Sequence, residues 1–275
     1  MQGIDLQTDT PSEIQDTKGD GVFTCGRFRL TGEMNPWTTF CEGRPDLEGA
    51  RSYYDRLYRR NYGRLLPEDK RAEILVTSAG IGYFVKFLND LGYQNVLGID
   101  SDLKKIEYAR QSPVPVRVER ENTFDFLEDT DRRFDLIVAE QEVNHLTKRE
   151  LVIFLIRARA RLKPGGHVIF NSTNYANPFT AIDHWAHNFN HYTGYTDNSV
   201  VQILDYCGFG EAKCLPIDNY VFYTNPLNWV AKLFTGLVSL GTWALYKLYG
   251  KDAYVFTKRM IAVGTANGEP RESGI

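Results

Sequence analysis

The sequence predicts an α/β protein built on a mostly parallel β-sheet whose last strand is antiparallel, with helical additions. Three observations carry this. Apolar runs of strand length alternate with helical stretches from Ala72 to Thr173, a cadence that requires crossover connections and so parallel strands. A pair of glycines, Gly80 and Gly82, follows the first apolar run and opens a helix. An acidic residue, Asp100, closes the second run about twenty residues later.

In chain order, residues 1–20 are acidic and polar and read as a flexible tail with little to bury. Residues 21–70 form an N-terminal lid or irregular segment. Within it GVFTCGRFRLTGEMNPWTTFCEGRP reads as irregular structure or short strands, and Leu47 to Tyr62 has helical spacing with Tyr54, Leu57 and Tyr58 on one face. The main domain spans 71–265. AEILVTS is its first strand, YFVKFLNDLG a helix ending at Gly92, NVLGID a strand, LKKIEYARQ a helix, PVRVE a strand, and TFDFLED a short helix or turn. FDLIVAE is the fourth strand and KRELVIFLIRARARL a long helix. LKPGG reads as a turn punctuated by Pro164, Gly165 and Gly166, leading into the strand HVIFNST. Beyond Thr173 the cadence breaks into a polar, aromatic insertion, 174–196, on the side where such a sheet presents its substrate-facing loops. NSVVQILDYCGFG is a helix, EAKCLPIDNY begins a strand, and FTKRMIAVGTA is the final strand, antiparallel by analogy with folds of this kind. Residues 266–275 read as a tail.

Composition narrows the function. Of 275 residues, 43% are hydrophobic and 24% charged, enough to bury a sizeable core. A formal net charge of -3 gives no basic surplus for counterion release, which argues against nucleic acid as partner. Cys25, Cys41, Cys207 and Cys214 are widely spaced without a CxxC pair, and read as reduced thiols rather than a zinc site or disulfide framework. The N-terminus has neither a basic start nor an apolar stretch, so it is not a signal peptide and a cytoplasmic protein is expected.

Glycines at a strand-to-helix turn let the backbone approach a ligand closely, and a carboxylate at the next strand end can accept hydrogen bonds from ribose hydroxyls. An ordinary α/β turn and a helix-capping aspartate would look alike. The dinucleotide fingerprint needs a third small residue where Val85 stands, and a phosphate-binding GxxxxGK[ST] run is lacking. S-adenosylmethionine (SAM), which has no pyrophosphate, fits this spacing better than NAD.

The stretch from Tyr53 to Asp102, with FDLIVAEQEVNHLTKRELVIFL, LKPGGHVIFNSTN and NFNHYTGYTDNSVVQILDYCGF, resembles the Rossmann-like class I SAM-dependent methyltransferases, especially bacterial ones of polysaccharide or other glycan biosynthesis. The resemblance implies that Ser78, Gly80 and Gly82 flank the methionine part of SAM and that Asp100 holds the ribose. It places Ser101 near the adenine, Asn122, Thr123 and Phe124 along the adenine ring, and Glu140 and Gln141 under the sulfonium. It further implies O-methylation of a sugar or glycan intermediate, small or lipid-linked, by a chain that works alone or in a homo- or hetero-oligomer. Two positions depart from the family: Val76 stands where an acid is usual and Ser78 where a glycine is usual. Asn188 also replaces a common aspartate. These departures leave open a second reading, a catalytically degenerate partner or regulatory subunit.

Methylating a hydroxyl needs a base, and histidine serves at neutral pH. His191, in the insertion, is the first candidate and His145, after the fourth strand, the second; a cap for the following helix is an equal reading for His145. His167 follows the glycine turn and reads as structural. His184, His187 and His191 share helical spacing, but on one helix the outer pair is too far apart for one ion, so no metal is expected. Trp185, Tyr192 and Tyr195 suit a sugar-facing wall or ordinary packing.

Finally, residues 226–250 are strongly apolar. Phe234, Leu237, Val238, Gly241, Leu245 and Leu248 share a helical face, with Lys232, Thr235, Ser239 and Thr242 opposite or beside it. The run LFTGLVSLGTWALY is too short to span a bilayer. Two placements stay open: a helix covering the sheet or forming a dimer contact, and a helix lying in a membrane interface, for which Trp229, Trp243 and the flanking lysines are suited.

Overall fold

The computed structural model describes residues 23–25, 28–30, 47–110, 116–139, 143–187, 191–219 and 225–267. Glu140, Gln141, Asn188, Cys41 and both tails up to residue 20 and beyond 267 lie outside them, as do the side chains of residues 183–187. Two short strands, β1 (Phe23–Cys25) and β2 (Phe28–Leu30), pair antiparallel. Helix α1 (Leu47–Tyr62) precedes a seven-stranded sheet. Its first half runs β3 (Glu73–Thr77), α2 (Tyr83–Asp90), β4 (Asn95–Asp100), α3 (Leu103–Arg110), β5 (Val118–Arg120), α4 (Thr123–Asp129), β6 (Phe134–Ala139). A 3-10 turn at Val143–His145 leads to α5 (Lys148–Arg161) and β7 (Leu162–Thr173). Then come α6 (Pro178–His187), α7 (Asp197–Tyr206), β8 (Gly210–Pro216), α8 (Pro226–Leu248) and β9 (Arg259–Thr265).

The strand order is β5-β4-β3-β6-β7-β9-β8. The pairs from β5 to β7 are parallel, and β9 runs antiparallel to both β7 and β8, as expected of the last strand. Because β4 lies on one side of β3 and β6 on the other, the chain reverses its direction of winding between β3 and β6. In open α/β sheets ligands bind in the crevice at that point, beyond the carboxyl ends of the strands.

Alternate side chains of the strands feed two cores. One face, with Leu75, Phe134, Phe170 and Met260, packs on α5 and α7 through Leu151, Phe154 and Leu204. The other, with Ile74, Val76, Leu136 and Ile169, packs on α1, α2 and α3 through Tyr58, Phe84, Leu88 and Ile106. Tyr58, Tyr62, Phe84 and Phe87 meet edge-on or tilted at 4.7 to 5.9 Å, an aromatic seam that holds α1 against α2.

The structure revises two expectations and narrows a third that the sequence leaves open. The LKPGG segment belongs to β7 rather than a separate turn: the irregularity is a register shift opposite Phe134 and Leu136, with Gly165 at φ 78°. The irregularity keeps the chain in the sheet while fitting the five steps from Leu162 to His167 against the two from Phe134 to Leu136. The C-terminal tail begins later than residue 266, because Ala266 is buried and its N–H donates to Gly166 O at 2.8 Å. Most consequentially, α8 does not cover the sheet with its apolar face. Its inward residues include Lys232, Ser239 and Thr242, while Leu233, Leu237 and Leu248 are exposed.

Candidate functional site

The turn after β3 carries three residues in left-handed backbone, Ser78 (φ 51°), Gly80 (φ 57°) and Gly82 (φ 85°). Space above Gly80 is open, with nothing within 4 Å of the position a Cβ would take. A side chain on Gly82 would meet Val116 Cγ2 at 2.9 Å, so this glycine is needed for the turn to pass the β5 segment. Serine at 78 adopts the dihedral a glycine would supply, at a steric cost of roughly 1–2 kcal/mol. Val76 is fully buried in the core facing α1 and α2, so the position usually occupied by an acid contributes packing and no charge.

The neighbouring strand completes the turn. Asp100 is 3% exposed, its Oδ2 accepts from Gly80 N–H at 2.8 Å, and its Oδ1 accepts from Asp102 N–H at 2.9 Å. A carboxylate has about four acceptor sites, so two amides leave capacity for the hydroxyls of a ribose. Ser101 follows at half-buried exposure. On the far side, Asn122 caps α4, its Oδ1 accepting from Phe124 N–H at 2.8 Å and Asp125 N–H at 3.4 Å. The cap fixes Thr123 and Phe124 at the head of the helix, and Arg157 Nη1 donates to the Phe124 carbonyl at 2.9 Å.

Val85, which breaks the dinucleotide pattern, has a partner the sequence reading did not use. A Cβ on Gly98 would lie 2.8 Å from Val85 Cγ2 and 3.1 Å from Ala79 Cβ. Close approach of α2 to the sheet is achieved by a glycine on β4 instead of one on the helix. The glycine in NVLGID was the available signal.

A second polar cluster sits beyond β6 and β7. The rings of His145 and His191 meet edge-on, with centroids 4.6 Å apart and planes at 66°. His145 does not cap α5; Thr147 does, with Glu150 in a reciprocal capping box. His191 is buried and lies past the end of α6 at His187, so the three histidines His184, His187 and His191 do not share one helix. Among the described residues no group of His, Cys, Asp and Glu could hold a metal ion. His167 sits apart, its Nδ1 3.0 Å from Thr265 Oγ1, and burial holds its pKa below the ordinary value.

Asn144, which sequence reasoning missed, holds the histidine pair together. It is fully buried; its Nδ2 donates to Thr193 O at 2.7 Å, and its Oδ1 accepts from Thr173 N–H at 2.8 Å and Ser172 Oγ at 3.1 Å. Its own carbonyl accepts from Tyr192 N–H at 2.9 Å. One amide side chain thereby locks the end of β7, the 3-10 turn and the insertion. Nothing in EVNHL distinguishes it, because its partners lie 28 to 49 residues away. The insertion closes on itself where Tyr175 N–H donates to Tyr195 O at 2.8 Å. Cys207 and Cys214 are buried free thiols, with pKa values pushed by burial to about 11 and about 12.

A sheet that reverses at β3 and β6, with a glycine turn and a strand-end carboxylate at the reversal, defines an α/β protein built to hold an adenosyl-type ligand. The family is more specific: a methyltransferase-domain model matches residues 50–210, more than half of the chain, and the chain belongs to that family. No curated protein sequence matches it. Among solved structures it is similar to a SAM-dependent methyltransferase from Archaeoglobus fulgidus (16% identity, 83% of this chain and 99% of that one, TM-score 0.59). It is also similar to the putative methyltransferase of Haloferax volcanii complexed with the Trm112 activator (14%, 87% and 100%, 0.63). A third is the plantazolicin methyltransferase BpumL in complex with SAH, S-adenosylhomocysteine (13%, 86% and 91%, 0.55). At these identities the likeness is one of fold.

Proposed function

We propose that this chain is a SAM-dependent methyltransferase that methylates an oxygen of a sugar or glycan intermediate, small or lipid-linked. The observation that carries the cofactor half is the Gly80–Asp100 contact beneath an open turn, in which Ser78 takes the left-handed backbone a glycine would supply. The turn at Ser78, Gly80 and Gly82 borders the methionine part. Asp100 holds the ribose, Ser101 lies near the adenine, and Asn122, Thr123 and Phe124 border its ring; Glu140 and Gln141 are assigned to the sulfonium side by the sequence resemblance alone. α1, with Tyr54 stacked on Tyr83 at 4.8 Å, closes the same side as a lid.

Bound SAM supplies an electrophilic methyl group. The chain's own task is to orient a hydroxyl acceptor, exclude water and remove its proton. His191 is the base, and His145, edge-on to it, is the second candidate for the proton. Asn144 is a positioning residue that fixes their separation. A cytoplasmic location belongs to the same reading. So does an oligomeric partner, on the precedent of the Haloferax methyltransferase, which is complexed with an activator.

Calorimetry with SAM and with SAH tests the cofactor half: binding of both is expected, and the absence of heat and of any thermal shift overturns it. For the acceptor half, methyl transfer to a panel of sugar hydroxyls should fall at least a hundredfold in kcat for His191→Ala, with SAM affinity unchanged. Full turnover by that variant removes His191 from the role.

A further inference from the structure

α8 is inside out for a helix of a globular domain. Its inward stripe, at alternating three- and four-residue steps, is Lys232, Thr235, Ser239, Thr242 and Tyr246: Lys232 Nζ donates to Asp218 Oδ2 at 2.9 Å, and Ser239 Oγ to Phe256 O at 3.4 Å. Tyr246 packs edge-on against Phe256 at 5.2 Å. The outward arc carries the apolar residues, and Val230, Leu233, Phe234, Leu237, Leu240 and Leu245 are 49% to 64% exposed. At 1.5 Å per residue these 23 residues form a strip about 35 Å long. A contiguous apolar strip of that size marks an interaction surface.

We infer that α8 docks this protein onto an anionic phospholipid surface, lying in the plane of the headgroups with its outward arc in the acyl boundary. Two features select lipid over other occupants. The first is charge: residues 225–258 carry four lysines and one acidic residue, Asp252, in a chain of formal net charge -3; Lys232 pairs with Asp218 at 2.9 Å and Lys247 with Asp252 at 3.0 Å, so the surplus rests on Lys251 and Lys258. Lys247, Lys251 and Lys258 are exposed. Anionic headgroups complement that surplus, whereas a second copy seated on the arc would bring like charges together. The second is the margin of the arc. By the 100° step of a helix, Trp229, Trp243 and Lys247 fall along one border between the apolar arc and the inward stripe, where a membrane interface favours indole and ammonium groups. Lys232 Nζ lies 6.0 Å from the Trp229 ring centroid. Spanning is ruled out for α8 by its polar inward stripe, and no helix among the described residues is long and apolar enough to cross a membrane.

This inference is independent of methyl transfer and stands or falls without it. The full chain is mixed with vesicles of phosphatidylcholine alone or with added phosphatidylglycerol and sedimented. Binding to the anionic vesicles is expected, weakening as salt rises. Phe234→Glu with Leu237→Glu should lower the partition on the order of a hundredfold, with circular dichroism and SAM affinity retained because both side chains already face solvent. A chain left in the supernatant with every vesicle, or a double variant that binds as well as the parent, overturns the inference. So does a vesicle-free dimer that the double variant dissociates, which would make a second copy the occupant.

Discussion

The amide of Gly80 donates to Oδ2 of Asp100 across 2.8 Å, joining the turn after β3 to the end of β4. This one contact serves the turn and the ligand site together. Replacing Asp100 by alanine removes the acceptor for the Gly80 amide, the acceptor for Asp102 N–H and the proposed ribose contact. SAM affinity should fall by one to two orders of magnitude, roughly the loss of a charge-assisted pair. Calorimetry reads this directly, and an unchanged Kd would place the ribose elsewhere.

Ser78 offers a separate test of the turn, since its φ of 51° is tolerated poorly by side chains and worst by β-branched ones. Ser78→Gly should leave SAM affinity intact and change stability by less than about 1 kcal/mol, because relief of strain is offset by the freer unfolded chain. Ser78→Val should cost about 2 kcal/mol and weaken SAM binding. Urea denaturation and calorimetry separate the two effects. Equal behaviour of both variants would show that the dihedral is not what the turn depends on.

Asp197 anchors the segment that links α8 to β9. Its fully buried carboxylate accepts from Val255 N–H at 3.0 Å and Tyr254 N–H at 2.6 Å, and its Oδ1 accepts from Asn198 N–H at 2.9 Å. Asp197→Ala orphans these amides and should destabilise the fold by about 3 kcal/mol. A variant with an unchanged urea midpoint would show that water replaces the carboxylate.

His167 is held neutral by burial, with a smaller contribution from the Lys213 charge. Its pKa is lowered on folding, so the unfolded chain binds the extra proton first. Stability from this residue is complete above about pH 6.5 and declines as pH falls below it, until the folded state titrates as well. Denaturation midpoints at pH 7.5 and 5.5 should differ less in His167→Gln than in the parent. An equal difference would assign the acid sensitivity to other groups.

Much of the fold was written locally. The β3-to-β7 cadence and the helix from Leu47 to Tyr62 follow from apolar periodicity and glycine punctuation, which act within a few residues, whereas the antiparallel direction of the last strand was expected by analogy with folds of this kind. The capping boxes at Thr147 and Thr196 are likewise local, one residue reading another three positions away. Gly80, Gly82 and Asp100 were legible because a turn and a strand end each have a short signature.

What tertiary structure decided is everything that depends on a partner distant in sequence. Only the fold shows that Gly98 makes room for Val85 and that Asn144 gathers the histidine pair. The side on which α8 faces the protein is the sharpest case. Its periodicity defines an apolar arc and a polar stripe with equal clarity, but periodicity has no direction. The stripe turns inward because Asp218 and the Phe256 carbonyl wait there for Lys232 and Ser239, and hydrogen bonds to fixed partners discriminate orientation where non-directional apolar burial does not.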